Sequence, residues 1–242
     1  MPEPHFAIPD LGFNFYAFFL CIAVLAGEIY VFRALKSVPK LGRIFFAALS
    51  MLFTLSAILF TVLFLPEGLF SASLCGGGAF MLCALLFDLF YNNSKIYKFL
   101  DLRKPAKTPR FYFCQKCLIA APLIYSIAKL GCTYAGCCHG FAYSGPFSLT
   151  YHKTEVHGQF FPIQPLETLV FLVIFALAHK SQKPLVAILA CLSAKFFLDF
   201  LRYGHDQMLI SPNQIACLIL IVSLSIGYLL YQKNILLHKQ PK

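Results

Sequence analysis

Charge is what this chain of 242 residues has least of. Charged residues make up 12% of it, about half the share expected of a soluble globular domain. No linker long enough to separate domains interrupts the sequence, and no short repeat or low-complexity tract is visible. These absences exclude a soluble enzyme with a water-facing surface, a disordered tail protein and a secreted disulfide scaffold. Hydrophobic residues make up 59% of the chain and its mean hydropathy is +0.73. A hydrocarbon core of ~30 Å takes about 20 apolar residues per helix. The composition therefore points to an all-α, polytopic membrane protein, one transmembrane domain over 1–242 with short connections.

The net charge of +10 would suit a nucleic-acid binder, but the positions of the cations argue against one. Fifteen of the 20 Lys and Arg residues fall in four short stretches between apolar runs. These are Arg33 to Arg43, Lys95 to Arg110, Lys180 with Lys183, and Lys233 to Lys242. Long apolar runs predict seven spans, near 11–32, 44–65, 71–91, 111–130, 165–178, 184–201 and 213–231. With seven spans, all four basic stretches lie on one side. The positive-inside rule then sets the N-terminus outside and the C-terminus in the cytoplasm. No basic n-region precedes the first run and no small-residue cleavage site follows it, so the reading is a retained helix and not a signal peptide. The segment 131–163 is too long for a plain connection and rich in Gly, Cys, His and Tyr. It is expected to be the functional outer segment, folded back on the bundle, since backbone at membrane depth must be covered by protein or line a polar cavity.

Ionisable residues inside spans are functional candidates by default. Glu28, Asp88 and Lys116 lie toward inner ends, where snorkelling to the headgroups is the ordinary explanation. Lys129, Glu167, Lys195, Asp199 and Arg202 map to the outer half. Lys195, Asp199 and Arg202 follow at i, i+4 and i+7, so one helix face is expected to present cation, anion and cation. A salt-bridge ladder between helices is the structural explanation. The excess positive charge, with Lys129 added, suits an anionic headgroup, phosphate above all. Gly76, Gly77 and Gly78 near the same leaflet read either as close helix packing or as backbone amides open to a phosphate.

Ten cysteines raise a metal site, notably through Cys114-x-x-Cys117 and Cys137-Cys138-His139. A helix between the two clusters holds them nearly a membrane thickness apart, and each alone supplies too few ligands for a closed tetrahedral site. Cys21, Cys83, Cys191 and Cys217 read as small apolar fillers. A loop-bracing disulfide among Cys132, Cys137 and Cys138 stays open. Of the outer histidines, His139, His152, His157 and His205, residue type alone selects no proton acceptor.

The run Lys129-Leu-Gly-Cys-Thr-Tyr-Ala-Gly-Cys-Cys-His-Gly140 resembles the signature of the bacterial prolipoprotein diacylglyceryl transferases, in a divergent Gly-Cys-Cys-x-Gly form. Other fragments agree in order and spacing: Phe15-Tyr16, Leu74-Cys75-Gly76-Gly77, Pro162-Ile-Gln164-Pro-Leu-Glu167, and Lys195-Phe-Phe-Leu-Asp199-Phe-Leu-Arg202 with Asp206 and Gln214 beyond. The resemblance covers most of the chain. It implies a multi-pass protein of the bacterial cytoplasmic membrane that moves the diacylglyceryl group of phosphatidylglycerol to the lipobox cysteine thiol of an exported prolipoprotein, without cofactor or metal. Carried onto these residues, Lys129, Lys195 and Arg202 hold the phosphate and Asp199 orients the lysine on its face. Tyr16, Cys75, Gly76, Gly77, Cys132, Gly140, Gln164 and Glu167 line the substrate site, and His139 is the base candidate within the signature. Lysine stands at 129 and 195 where the family has arginine, cysteine at 75 where it has histidine, and cysteine at 132 where it has asparagine. The alternative is a lipid-binding or membrane-assembly protein that keeps the fold without the chemistry. A third reading is a redox or metal protein using the outer cysteines.

Overall fold

The structure, a computed structural model, describes residues 6–8, 15–64, 68–91, 111–152, 157–203 and 209–238, apart from the side chains of 61–75, 91, 152 and 231–238. It is mostly helical: α1 (Phe15–Ala34), α2 (Lys40–Phe64), α3 (Gly68–Tyr91), α4 (Tyr112–Ala135), α5 (Ile163–Ser181), α6 (Pro184–Leu198) and α7 (Pro212–His238). Each apolar run of the sequence lies on one helix. Among the described residues six helices are long and apolar enough to cross a membrane, and Gly76–Phe90 of α3 forms a shorter apolar stretch. By helix length and composition this is a multi-pass membrane protein.

The packing follows from which faces are apolar on both sides. α4 is the hub, set against α1, α3, α5 and α6, and half of its most apolar window is buried. α7 touches little beyond α6 and leaves Leu218, Ile219 and Val222 exposed. Phe18 and Ile29 of α1 and Leu169 and Val173 of α5 are exposed too. Apolar surface this extensive is costly in water and ordinary against lipid tails.

Two carboxylates expected to snorkel do not. Asp88 of α3 is buried and accepts the backbone N–H groups of Phe113 (3.0 Å) and Cys114 (2.8 Å) at the start of α4. A helix leaves its first N–H groups without partners, and here a carboxylate from a neighbouring helix accepts two of them. Glu28 of α1 is buried and accepts a hydrogen bond from Ser50 Oγ of α2 at 2.6 Å. Lys116 stays at an exposed edge, donating to Gln182 Oε1 at 2.6 Å.

Beside the helices stands one small element that the sequence reading did not expect. A three-stranded sheet joins β1 (Phe6–Ile8), β2 (Leu149–His152) and β3 (His157–Phe160) in the order β1-β2-β3. β1 runs parallel to β2 with Phe6 opposite Leu149, and β2 runs antiparallel to β3 with Thr150 opposite Gln159. Ile8, Leu149, Tyr151 and Phe160 form its buried face. These runs of apolar, β-branched and aromatic residues are too short to be read as strands from one sequence. The sheet ties residues 6–8 to the same end of the bundle as the segment after α4. Tyr151 OH donates to the Thr133 carbonyl at 2.9 Å, which ties β2 back to the last turn of α4.

Candidate functional site

Glu167, in the second turn of α5, has a side chain with no exposure at all. Three cations from separate elements converge on it. Lys129 Nζ of α4 lies 2.8 Å from Oε2, and Lys195 Nζ of α6 lies 3.1 Å from Oε1. Arg202 Nη2 donates to Oε1 at 2.9 Å and to Oε2 at 3.3 Å. Tyr125 OH, one helical turn before Lys129, donates to Oε1 at 3.4 Å. The Tyr125 ring lies under both lysines, 5.2 Å from Lys129 Nζ and 5.8 Å from Lys195 Nζ. Phe171 backs that ring, with centroids 4.2 Å apart. A buried carboxylate is costly to desolvate unless its lone pairs are matched, and three cations with one phenol match them here.

Asp199 does not pair with Lys195. The α-helix ends at Leu198, Asp199–Leu201 form a 3-10 turn and Arg202 is extended, so the i, i+4, i+7 face of a continuous helix is not formed. Lys195 turns to Glu167. Asp199 instead accepts a hydrogen bond from Ser211 Oγ and lies 3.2 Å from Arg202 Nε. Gln214, fully buried, accepts from Ser211 N–H at 2.8 Å and donates to the Phe196 carbonyl at 3.1 Å, which fixes the start of α7 against α6. Asp199 therefore positions the arginine and not the lysine. Three cations against the two carboxylates of Glu167 and Asp199 leave one positive charge in excess. Lys129 is 8% exposed, whereas Lys195 and Arg202 keep 19% and 17%. The latter two are the more exposed cations of the cluster.

The other residues singled out from the sequence fall in several places. Tyr16 of α1 packs with Cys132 in one buried cluster. Between them Gly131 allows contact, since a Cβ there would lie 3.1 Å from the Tyr16 Cα. Gly140 pairs with Arg202 as an isolated antiparallel bridge, and a Cβ on it would sit 2.5 Å from the Phe161 carbonyl oxygen. Only glycine fits at that approach. Gln164, fully buried one turn before Glu167, donates to the Cys137 carbonyl (3.1 Å) and to Tyr151 OH (3.3 Å). His139 packs between the rings of Phe160 and Tyr203, with centroids 4.1 and 4.9 Å away, and Nδ1 lies 3.2 Å from the Gly140 carbonyl. No hydrogen bond or ion pair joins it to Glu167 or its cations among the described residues. Gly76 packs α3 on α2, where a Cβ would lie 2.8 Å from Ile58, while Gly77 faces open space. The Cys75 side chain, the His152 side chain, His205 and Asp206 lie outside the described residues.

The nine described cysteines are free, and no group of three or more metal-ligating side chains among the described residues could hold a metal ion. Sequence reasoning did not find Tyr125 or Ser211. The i, i+4 spacing of Tyr125 and Lys129 was the available signal for the first; nothing local marks the second.

The chain matches no protein-family model, no curated protein and no solved structure.

Proposed function

We propose that this protein is a membrane transferase that binds phosphatidylglycerol, or a related anionic lipid, and passes its diacylglyceryl group to the lipobox cysteine of a prolipoprotein. The carrying observation is the convergence of Lys129, Lys195 and Arg202 on the buried Glu167. In this reading seven helices cross the bacterial cytoplasmic membrane with the N-terminus outside. The cluster then lies near the outer leaflet, within lateral reach of lipid.

The cluster supplies what the reaction requires. The thiolate sulfur attacks the glyceryl carbon, the carbon–oxygen bond to phosphate breaks, and glycerol phosphate leaves with its charge. Lys195 and Arg202 receive the phosphate, and Lys129 keeps Glu167 from repelling it. Fixed cations aimed at charge that grows on the leaving group stabilise the transition state more than the ground state. The same field lowers the pKa of an incoming thiol. Asp199 and Ser211 hold Arg202 in place, and Gln164 and Gly140 hold the segment after α4 above the cluster.

The test is transfer of labelled diacylglyceryl from phosphatidylglycerol to a lipobox peptide by the purified protein. Wild type gives thioether-linked peptide, Lys129→Ala loses activity by about a hundredfold or more, and Lys129→Arg retains it or gains through bidentate contact. Absence of transfer under conditions where an arginine-bearing transferase works overturns the reading. The second reading is a lipid-binding or assembly protein. It is favoured by the absence of a hydrogen bond or ion pair between the His139 side chain and the cluster among the described residues, since His139 is the base candidate. Complementation of a transferase-depleted cell separates the two, because a binder does not restore lipidated proteins.

A further inference from the structure

Past the end of α6 the chain keeps apolar side chains on its surface. Val186 and Phe197 of α6 are both exposed and lie about three helical turns apart, so they share one face of the helix. Phe200, in the 3-10 turn that follows, is exposed too, and so is Tyr203 just beyond it. The apolar span here runs over Pro184–Leu201, 18 residues. At ~1.5 Å per residue that is about 27 Å, close to the ~30 Å of a hydrocarbon core. The span is thus used up at Leu201, and Arg202 and Tyr203 come directly after it. Ser211, bonded to Asp199, holds the exposed Leu209 and Ile210 beside the same turn.

A second segment is bonded alongside. Phe141 N–H donates to the Leu201 carbonyl at 3.2 Å, Tyr203 N–H donates to the His139 carbonyl at 3.1 Å, and Gly140 pairs with Arg202 between them. Arg202 is extended and turns its side chain to Glu167. Side chains alternate along extended chain, so Tyr203 falls on the opposite face. There its ring meets that of His139, with centroids 4.9 Å apart, and stays 65% exposed. Phe141 stacks on Phe161 at 5.2 Å with planes 9° apart and is exposed at its edge. The two segments therefore have an ionic side and an aromatic side. The aromatic side continues the exposed face of α6, which in a membrane-spanning helix meets lipid.

We infer that residues 139–141 and 201–203 form a lip lying in the headgroup layer of the bilayer, with Phe141, Phe200 and Tyr203 against lipid and Arg202 on the reverse side. Aromatic rings suit that layer, and tyrosine adds a polar tip to an apolar body. The same groups turned to water would expose apolar area with no compensation. Lipid is the occupant that already covers the adjoining face of α6. The inference goes beyond the transferase reading, since it assigns a membrane contact whatever chemistry the cation cluster performs. Its consequence is depth. Lys195 and Arg202, the cluster's more exposed cations, are held level with the phosphates of the surrounding lipids.

The chain contains no tryptophan, so a substituted one is the sole indole fluorophore. Tyr203→Trp and Phe141→Trp, each in the full chain, are placed in phosphatidylcholine vesicles containing lipid brominated either high on the acyl chain or at its middle. Two references bracket them: Val222→Trp on the exposed face of α7, and Lys183→Trp in the exposed connection before α6. Both lip variants should emit to the blue of Lys183→Trp, lose more intensity to the high bromine than to the mid-chain one, and be largely spared by acrylamide. Val222→Trp should respond best to the mid-chain bromine. Two positions report independently, so misfolding of one variant leaves the other to decide. If acrylamide quenches the lip variants as strongly as Lys183→Trp and bromolipid spares them, the lip stands in water and the inference falls. If neither quencher reaches them, protein covers the lip and the inference falls too. Stronger quenching by the mid-chain bromine puts the rings in hydrocarbon and also overturns it.

Discussion

Glu167 is the residue on which the ionic site depends, because it is the one carboxylate that all three cations share. Glu167→Gln keeps the shape and removes the charge, leaving Lys129, Lys195 and Arg202 to repel one another in a desolvated place. Breaking a buried ion pair from one side costs about 3–5 kcal/mol. The variant should therefore unfold at a clearly lower temperature in detergent than wild type, and by more than Lys195→Ala, which leaves Glu167 two cations. Equal melting of Glu167→Gln and wild type would show that the cluster stores no such interaction. A second expectation concerns the thiols. Hydrogen bonding with Cys132 and Cys137 lowers the Cys138 pKa, and hydrogen bonding with Cys132 and Cys138 raises that of Cys137. A lowered pKa keeps the thiolate present as pH falls below the ordinary thiol range. Iodoacetamide should thus alkylate Cys138 at mildly acidic pH while Cys137 stays unmodified, read by mass spectrometry of the shared peptide. Preferential modification of Cys137 would reverse the assignment. Lys129, Lys195, Glu167 and Arg202 were legible as candidates because charge inside an apolar run is conspicuous. Their partners were not, since helical spacing couples Lys195 to Asp199 on a helix that in fact ends between them.

α4 carries the site from one end to the other. Its first turn is held by Asp88 of α3, its middle passes Pro122, and its last turns present Tyr125, Lys129 and Cys132. Asp88→Ala removes both side-chain acceptors from the start of this helix. A lost cap costs about 1–2 kcal/mol, so hydrogen exchange at the start of α4 should quicken while the far end, braced by Glu167, changes little. Exchange that is unchanged at residues 113–116 would argue that the carboxylate does not cap. Helix positions were largely readable, because runs of apolar residues bounded by charge or proline leave few alternatives in a membrane. The strands were not. Three or four residues with no long periodic pattern carry too little signal, and β1 finds its partner more than 140 residues away.

At the scale of the molecule, the sheet couples the N-terminal strand to the segment after α4, so both belong to one end of the bundle. In the proposed seven-span reading, the distribution of Lys and Arg puts that end outside the cytoplasm. A membrane-impermeant maleimide applied to intact cells should then label the peptide that carries Cys137 and Cys138, of which Cys137 is exposed. It should not reach a cysteine introduced by Lys180→Cys in a Cys137→Ser, Cys138→Ser background until the membrane is opened. The opposite pattern would invert the orientation and move the cation cluster to the inner leaflet.

Composition and the spacing of apolar runs by themselves determined that the chain is a helical membrane protein, roughly where its helices lie and which charges are out of place among them. Those properties are local, since each follows from the cost of putting a given stretch of chain in hydrocarbon. Tertiary structure alone decided which charges meet: that Lys195 turns to Glu167, that Asp199 serves Arg202 and Ser211, and that Asp88 caps a neighbouring helix. Pairing depends on how helices far apart in sequence cross and where each one stops. A break of one turn after Leu198 is enough to redirect two side chains.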